Sequence, residues 1–350
     1  MRAMRRLARG CALTVQIAAV FLLVLPASHP EAARRAVETL ESVRALPPHL
    51  TGVFEQAAGF VRTDPGHYLV FDRRAHAVYQ VDAAITEVRR LVAIGHEPGR
   101  VIQPVAFSAS RDGSFVVADL PGGRQRIQLF TADGQRLRGF LLPGRAQPLV
   151  AIGGMPLNGI GSVQYTGETI LLNQPETGSL IVEYSIDGQV RRTIGALRPT
   201  LQESDREVHL ALNTGMPLAH PDGGFYFVFQ AGEPRFRRYT ASGALQYERV
   251  IQGSELDALV SSHPTRWATR RSGDREIPVV PPVVRTAAVD GRGQLWVALV
   301  PPFTYVYDAA GEKVRTMQFR GAAILAPTSL AFGPGGQLLV TPGCYLFDPK

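Results

Sequence analysis

The sequence contains almost no cysteine and almost no lysine. Its 350 residues include two cysteines, Cys11 and Cys344, and lysine stands only at positions 313 and 350 among 37 basic residues. Cys11 opens an apolar N-terminal run with the features of a removable signal, so Cys344 would have no partner and an internal disulfide is excluded. We expect Cys344 to be a small buried apolar side chain. The excess of arginine fits a codon bias as well as phosphate recognition, and we favour the first explanation.

The sequence also lacks the motifs of several familiar active sites. It has no Walker loop, no GxSxG elbow, no CxxC pair, and neither HxH nor HExxH spacing among its 8 histidines. The net charge is +7, but it falls to +3 without the four arginines of the N-terminal segment, because 33 basic residues then oppose 30 acidic ones. This excess is too small to indicate a nucleic-acid partner.

The N-terminal segment has the pattern of a secretory signal. Met1–Gly10 is basic, and Cys11–Leu25 is an apolar run of 15 residues that Pro26 ends. A membrane span needs about 20 residues, so residues 1–28 are predicted to be a signal peptide. The cleavage site is ambiguous, and an uncleaved membrane anchor is the alternative. In both cases we expect an exported protein, periplasmic or extracellular, and only an uncleaved segment would bring it to a membrane.

Residues 29–50 are predicted to form a short helix and a linker. Within Glu31–Leu46, five apolar residues fall on one side of a helix, and Pro47-Pro48 would end it. The segment His49–Ala57 is a candidate early strand. Residues 51–350 are then the main domain.

The main domain repeats one apolar pattern, usually preceded by a glycine-containing turn. The six apolar runs are Leu69–Phe71, Phe115–Val117, Ile170–Leu172, Phe225–Phe229, Leu295–Val297 and Leu338–Val340. The strand after each run recurs as well, and four copies end at a glycine suited to the positive φ of a hairpin turn. These glycines are Gly134, Gly188, Gly243 and Gly311.

Each repeat has the pattern of a four-stranded antiparallel sheet, most clearly in Pro104–Gly144. Such a sheet, apolar on both faces, needs neighbours of the same kind to bury its side chains. Six copies therefore predict an all-β fold, a six-bladed β-propeller of four-stranded antiparallel blades. The last unit stops at Lys350 without a fourth strand, so we expect an N-terminal strand to complete it and close the ring.

One repeat carries a family resemblance. Gly95–Pro104, followed by VVAD and RIQLFTADG, resembles the repeat of NHL-type (TolB-like) six-bladed propellers. The resemblance covers most of residues 60–350. It implies a ring of blades and says little about activity, because propellers host unrelated functions.

The connections between strands differ between the two faces of such a ring. Turns between first and second strands, and between third and fourth strands, are short and glycine-rich, and they share one face. The opposite face receives the long insertions Arg145–Gly159, Ala196–Ala211 and Gly253–Pro282. Long loops on a rigid frame are where binding groups cluster, so this face is predicted to bind a protein or a small-molecule ligand. We expect a monomer.

Two insertions and one short loop supply the candidate ligand-binding residues. Asp205, His209 and Asn213 are spaced by four, which would make a polar or metal-binding stripe on a helix; the alternative is a surface helix with its polar face in water. His263, Arg266, Trp267 and Arg270 could clamp an anionic or sugar-like ligand, or form a solvated loop. Arg73 and His76, in a short loop on the same face, would join either site.

Enzymes with six-bladed propellers offer a different function. Gluconolactonases, paraoxonases and peptide-amidating lyases hold a central metal, which needs acidic, amide or imidazole ligands from several innermost strands. The innermost strands here offer mainly small or apolar groups, and Asp72 and Asp119 are expected to accept hydrogen bonds from turn amides. The main hypothesis is therefore a non-enzymatic binding scaffold with no catalytic residues assigned. The alternative is a metal-dependent hydrolase or lyase with calcium or zinc at the channel mouth.

Overall fold

The computed structural model describes residues 37–142, 150–157, 162–257 and 267–349. The predicted signal or anchor at residues 1–28 lies outside these ranges. Within them, no helix has both the length and the apolar character needed to cross a bilayer.

Strands dominate the described chain. They are β1 Glu38–Glu41, β2 Arg44–Ala45, β3 Ala57–Arg62, β4 Tyr68–Asp72, β5 Ala77–Val81, β6 Val88–Val92, β7 Ala106–Ala109, β8 Phe115–Asp119, β9 Arg126–Phe130, β10 Arg136–Leu141, β11 Val150–Ile152, β12 Met155–Leu157, β13 Val163–Tyr165, β14 Thr169–Leu172, β15 Ser179–Ser185, β16 Val190–Ala196, β17 Gly215–Ala219, β18 Phe225–Phe229, β19 Arg235–Tyr239, β20 Leu245–Val250, β21 Ala268–Ser272, β22 Arg275–Val280, β23 Val284–Val289, β24 Leu295–Leu299, β25 Thr304–Tyr307, β26 Lys313–Arg320, β27 Ile324–Leu325, β28 Ser329–Phe332, β29 Leu338–Thr341 and β30 Tyr345–Phe347. The helices are α1 Pro48–Thr51 and α2 Arg206–Leu212, with 3-10 turns at Pro121–Gly123, Pro175–Thr177 and Pro334–Gly336.

Six groups of consecutive strands form antiparallel sheets in which chain neighbours pair. They are β3–β6, β7–β10, β13–β16, β17–β20, β23–β26 and β28–β30. The first strands of these groups contact one another in a closed cycle, β3 with β7, then β13, β17, β23 and β28, which returns to β3. The expected β-propeller arrangement is therefore confirmed, with each apolar run of the sequence repeat in the second strand of a sheet.

Burial explains why the sheets associate. Every residue of β4, β8, β18 and β24 is buried, whereas most of the outer strand β10 is exposed. One core cluster joins Val116 and Ile127 of the second sheet to Ile170 and Val182 of the third. An isolated sheet would leave such residues in water at a cost of about 1.5–3 kcal/mol for each large apolar side chain.

The hairpin turns follow the glycine pattern of the sequence. Gly134, Gly188, Gly243 and Gly311 have φ values of 86°, 84°, 88° and 81°. These values lie in the left-handed region that glycine adopts without steric cost. At Gly188 a Cβ atom would also collide with the ring of Phe140 in the preceding sheet. The short turns thus set both the hairpin geometry and the contact between neighbouring sheets.

The N-terminal segment closes the last sheet, but not as the predicted helix. Arg44–Ala45 pairs with Leu346 and Tyr345, so an N-terminal strand does complete this sheet, as expected. The helix predicted over Glu31–Leu46 is wrong where the structure describes it, because Glu38–Glu41 is a strand parallel to β26. Residues 31–36 of that prediction lie outside the described residues. The early strand expected at His49–Ala57 is also incorrect, since Pro48–Thr51 is helical and the next strand, β3, begins only at Ala57. Hydrogen bonds to unpaired strand edges override the local helical pattern.

Candidate functional site

Two of the long insertions pair with each other to form a seventh sheet. Its strand order is β12-β11-β22-β21, and the central pair is parallel, with Ala151 opposite Val279 and Ile152 opposite Val280. The third insertion supplies α2, which packs on this sheet through Val208, Ala211 and Leu212. We call β11, β12, β21, β22 and α2 together the cap. The connections predicted to carry function therefore form one folded element.

A buried arginine, Arg198, fixes α2 to the neighbouring sheet. The guanidinium of Arg198 donates to the carbonyl oxygens of Leu212 at 3.0 Å and Ala231 at 2.7 Å. It also lies over the ring of Phe229, 4.4 Å from the centroid. Burial lowers the pKa of Arg198 to about 10. The cap is thus held by side-chain hydrogen bonds as well as by apolar contacts.

A cavity of about 1310 Å³ runs along the first strands of the six sheets. At the end where these strands begin, it is lined by residues of the cap and of the long connections. We call this end the long-loop mouth and define it by Arg73, Ile152, Gly153, Gly154, Gln230, Pro282 and Arg285. The other end is the short-turn mouth, defined by Arg62, Asp64, Arg111, Asp112, Glu168, His220 and Asp290.

The wall of the cavity is partly apolar and partly hydroxylic. Phe71 and Phe107 stack with their ring centroids 5.2 Å apart. Gly59 leaves room for this stack, because a Cβ atom there would lie 3.0 Å from Cδ1 of Phe107. Hydroxyl groups follow the strands between the two mouths, from Ser108, Ser162, Thr214, Thr286 and Ser329. The expected small and apolar lining is therefore accompanied by many Ser and Thr side chains.

Two carboxylates of the short-turn mouth, Asp112 and Asp290, accept hydrogen bonds within their own turns. Asp290 accepts the amides of Arg292 and Gln294, both at 2.9 Å. Asp112 accepts the amide of Ser114 at 2.9 Å, and hydrogen bonds, first from the Ser110 hydroxyl, lower its pKa. Among the residues that the structure describes, no three His, Cys, Asp or Glu side chains are grouped to hold a metal ion.

His220 belongs to a charged group at the same mouth. Its Nδ1 lies 2.6 Å from Oδ1 of Asp222, whose carboxylate also receives two hydrogen bonds from Arg238 at 2.7 and 2.8 Å. Burial acts to raise the pKa of Asp222, but hydrogen bonds from Gly224, Arg238 and His220 outweigh it and bring the pKa to about 2. This carboxylate is therefore ionised at neutral pH.

The carboxylates at the ends of the second strands, Asp72 and Asp119, accept hydrogen bonds from the backbone of the long-loop side. Asp72 accepts four backbone amides, from Glu55 at 2.6 Å, Gln56 and Arg74 at 3.1 Å, and Ala75 at 2.9 Å. The predicted structural role of Asp72 is therefore confirmed.

Asp119 combines one backbone amide with a buried ion pair. It accepts the amide of Ile102 at 3.0 Å and binds Arg126 at 2.6 Å. Arg126 in turn donates to the carbonyl oxygens of His96 and Arg100 at 2.7 and 2.9 Å. The expected acceptance of a loop amide is confirmed, and the arginine partner is an addition that the sequence pattern did not indicate.

Of the predicted site residues, Arg73 lies at the cavity and His76 beside it in the same turn. Arg73 lines the long-loop mouth, and burial lowers its pKa. His76 has a φ of 50°, and its Nδ1 accepts a long hydrogen bond of 3.5 Å from the amide of Gln103. The turn is thereby joined to the connection that precedes β7.

The stripe of Asp205, His209 and Asn213 spans α2 as predicted, but each side chain has a local partner. Asp205 caps the helix by accepting the amides of Glu207 and Val208 at 3.2 Å. His209 Nδ1 lies 2.7 Å from the hydroxyl of Thr200. Asn213 is fully buried, and its Oδ1 accepts the amide of Arg198 at 2.8 Å. These contacts support the fold of the insertion.

The predicted arginine and tryptophan site belongs to the cap. Trp267 packs against the apolar cluster between α2 and the cap sheet. Arg270 donates from Nη1 to the carbonyl oxygen of Gly154, 2.7 Å away, and so links the two cap hairpins at the long-loop mouth. His263 and Arg266 lie outside the described residues. The structure thus places Arg73 at the long-loop mouth and Arg270 against Gly154 of that mouth, while the α2 residues lie in the supporting layer.

Sequence reasoning missed Arg285 and Gln230 at the long-loop mouth. Arg285 stands at an irregular pairing between Val284 and Thr286, where β23 begins. The backbone oxygen of Gln230 accepts a hydrogen bond from the amide of Val283 at 2.8 Å. Gln230 also lines the cavity. Arg285 is the only charged residue in the segment VVRTAAV. That isolated charge at the start of an inner strand was the available signal.

Comparison with known proteins gives structural matches only. No family model matches the chain, and no curated protein matches it. The NHL-type resemblance therefore stays a prediction. Two solved structures of virginiamycin B lyase from Staphylococcus aureus are similar to the chain. The selenomethionine-substituted enzyme has a TM-score of 0.47 and 13% identity over 82% of this chain and 77% of that chain. A catalytically inactive variant with quinupristin has a TM-score of 0.49 and 14% identity over the same shares.

Proposed function

We propose that this protein is a six-bladed β-propeller that binds a ligand at the long-loop mouth of its central cavity. The seventh sheet is, in this proposal, not a blade but part of the cap. Blade count rests on the closed cycle of first strands, which passes through six sheets and omits the cap sheet.

One observation carries the binding function: three separate insertions fold together beside one mouth of a large cavity. Cavities with an apolar wall and a few polar groups are the usual form of a small-molecule site. Here Phe107 and Ile152 provide apolar surface, and Thr214 and Gln230 provide polar groups. Loops carried by a rigid frame can also be replaced without disturbing the frame, which suits recognition.

A screen by methyl NMR tests this proposal. The full-length protein, labelled at Ile, Leu and Val methyl groups, would be titrated with a library of small fragments. We expect hits to shift Ile152 and Val284 at the long-loop mouth more than Leu218 and Val289, which line the cavity further along the strands. Shifts confined to Leu218 and Val289, or outside the cavity, would contradict the proposal.

The proposed location is outside the cytoplasm. It rests on the basic and apolar pattern of residues 1–28 and remains independent of the cavity. Cell fractionation with and without these residues tests it, and equal retention of both forms in the cytoplasm would contradict it. The proposed protein acts as a monomer, and it meets a membrane only through this segment and only where the segment is uncleaved.

The metal-dependent hydrolase or lyase stays a separate prediction. Elemental analysis of the purified full-length protein decides between the two functions. Stoichiometric calcium or zinc would support the enzyme, and its ligands would then have to be sought with the residues outside the described ranges included.

A further inference from the structure

The sheet β23–β26 carries one strand more than the repeating unit of the ring has. In sheet order, β1 follows β26 on the side away from β25. It runs parallel to β26, with Glu38 opposite Met317 and Glu41 opposite Arg320. Within the described residues, the outer strands β6, β10, β16 and β20 of the other complete sheets have no such partner. β1 is therefore an addition to the ring and not one of its repeating parts.

The ring is closed by residues that follow β1. β2 pairs with β30, and the amide of Leu46 donates to the carbonyl oxygen of Cys344 at 3.1 Å. Leu46 and Leu50 are each 3% exposed. They join one apolar cluster with Leu346 of the last sheet and Phe60 of the first. None of these contacts involves β1, so β1 can detach while the ring stays closed.

β1 itself is held by contacts near the surface. Three of its four residues are exposed, and Leu40 is only partly buried against a core cluster. Glu38 binds Arg315 at 2.7 Å and Glu41 binds Arg320 at 3.2 Å, with 47% and 61% of the two glutamate side chains exposed. Exposed ion pairs contribute little to stability, and salt screens them. Ordering a short strand also costs backbone entropy of a size similar to the gain from its hydrogen bonds.

The edge beneath β1 has its own support. β26 is paired on its other side with β25, and Met317 and Phe319 are each 1% exposed. The guanidinium of Arg315 lies 5.8 Å from the ring centroid of Trp296, a contact that is independent of Glu38. A strand edge without a neighbour presents backbone donors and acceptors to any extended segment. Arg315 and Arg320 then mark two positions along this edge at which a carboxylate is favoured.

We propose that β1 is a releasable strap over a strand-binding edge, and that the edge of β26 binds an extended segment of another protein when β1 is displaced. The contacts of β1 define the chemistry of that segment. It is a parallel strand with acidic residues at the first and fourth positions and an apolar residue at the third, as in Glu38–Glu41. In strand addition, backbone pairing supplies affinity and the side chains supply specificity. This proposal concerns the outer edge of the ring and is independent of the central cavity.

Displacing β1 within the full-length protein tests its release. In the double variant Glu38→Arg, Glu41→Arg, the substituted side chains face Arg315 and Arg320, and like charges oppose the pairing of β1. Hydrogen exchange in β1 should become at least about tenfold faster than in the wild type, while exchange in β29 and β30 stays unchanged. The wild type in about 1 M salt should show the same selective change, because the Debye length then falls to about 3 Å.

A peptide with the sequence of Val37–Val43, VETLESV, is the probe for binding. In an NMR titration it should bind the double variant with a Kd of about 1 mM or lower. It should bind the wild type at least about threefold more weakly, because the tethered β1 competes at an effective concentration in the millimolar range. The charge-reversed peptide VRTLRSV should bind the double variant at least about tenfold more weakly than VETLESV.

The matched control is the double variant Glu87→Arg, Glu168→Arg, which reverses two exposed glutamates outside the sheet β23–β26. It should match the wild type in hydrogen exchange and in peptide binding. If the first double variant folds poorly, the salt experiment on the wild type still decides whether β1 is released.

Four results would overturn the proposal. Loss of protection in β29 and β30 together with β1 would make β1 part of the closure of the ring. Unchanged exchange in β1, both in the double variant and at high salt, would make it a permanent strand. Equal binding of the two peptides, or of VETLESV to the double variant and the wild type, would remove the strand-binding edge. Dimers of the wild type that form through this edge as its concentration rises would assign the edge to a second copy of the chain.

Discussion

The two mouths of the cavity are formed by different kinds of connection. The short-turn mouth consists of tight turns in which glycines and Asp side chains satisfy the local backbone, as Asp290 does for Arg292 and Gln294. The long-loop mouth is stabilised by contacts between residues far apart in the sequence, such as Arg198 with Ala231 and Arg270 with Gly154. The short turns can therefore recur with little change from sheet to sheet. The long connections depend on particular pairs of distant residues, so they differ from one sheet to the next.

The strongest expected effect concerns the buried ion pair that supports the long-loop side. In Asp119→Asn, the guanidinium of Arg126 loses its carboxylate partner while 10% exposed. Breaking one side of a buried pair typically costs about 3–5 kcal/mol, and we expect the free energy of unfolding to fall by this amount. Urea denaturation of the full-length protein measures it.

The control for this prediction lies in the same sheet. Asp133→Asn changes a carboxylate in the exposed hairpin between β9 and β10, where its neighbours are Thr131 and Gln135. Its unfolding midpoint should stay close to that of the wild type. Equal losses in both variants would remove the distinction between the two sides of the ring.

A smaller effect is expected within the cap. Asn213→Ala removes a buried amide that binds the backbone of Arg198 on both sides, at 2.8 and 3.2 Å. Leaving these groups unsatisfied should cost about 1–3 kcal/mol. Asp205→Ala removes only a helix cap and should cost about 1 kcal/mol. The reverse order, or a change in bound metal in either variant, would support a ligand role for the stripe over a structural one.

The smallest expected effect is a change in stability at acidic pH, and it concerns Asp222, the partner of His220 at the short-turn mouth. The pKa of Asp222 is about 2, below its ordinary value of 3.8, so its ionised form stabilises the fold above about pH 4. This contribution is lost as the pH falls through the folded pKa of about 2.

The expected consequence is a flatter pH dependence in Asp222→Asn. Thermal unfolding followed between about pH 5 and pH 2 should give wild-type and variant curves that converge at low pH. Parallel curves would mean that the hydrogen bonds from Arg238 and His220 do not favour the ionised carboxylate.

The sequence predicted what depends on neighbours in the chain. The six apolar runs and the turn glycines, such as Gly134 and Gly243, specify hairpins locally, and burial on both faces then requires a ring. The face that carries the insertions followed from the same pattern. Asp72 was assigned correctly because a carboxylate directly after a strand meets turn amides.

What the sequence could not supply depends on residues that meet only in three dimensions. The strand Glu38–Glu41 forms against Met317–Arg320, and its apolar spacing also fitted a helix. The cap sheet forms when Ile152 meets Val280, a pairing that no local motif indicates. Arg285 was missed because its position at the mouth depends on the irregular pairing between Val284 and Thr286, which no local motif indicates.

The most direct test of this account is a crystal structure of the full-length protein with a fragment that shifts Ile152 and Val284 in the methyl NMR screen. We predict one bound molecule at the long-loop mouth, in contact with Ile152 and Phe107. A molecule bound at the short-turn mouth, beside Asp112 and Asp290, would contradict the account, as would a cavity left empty when the fragment is bound elsewhere.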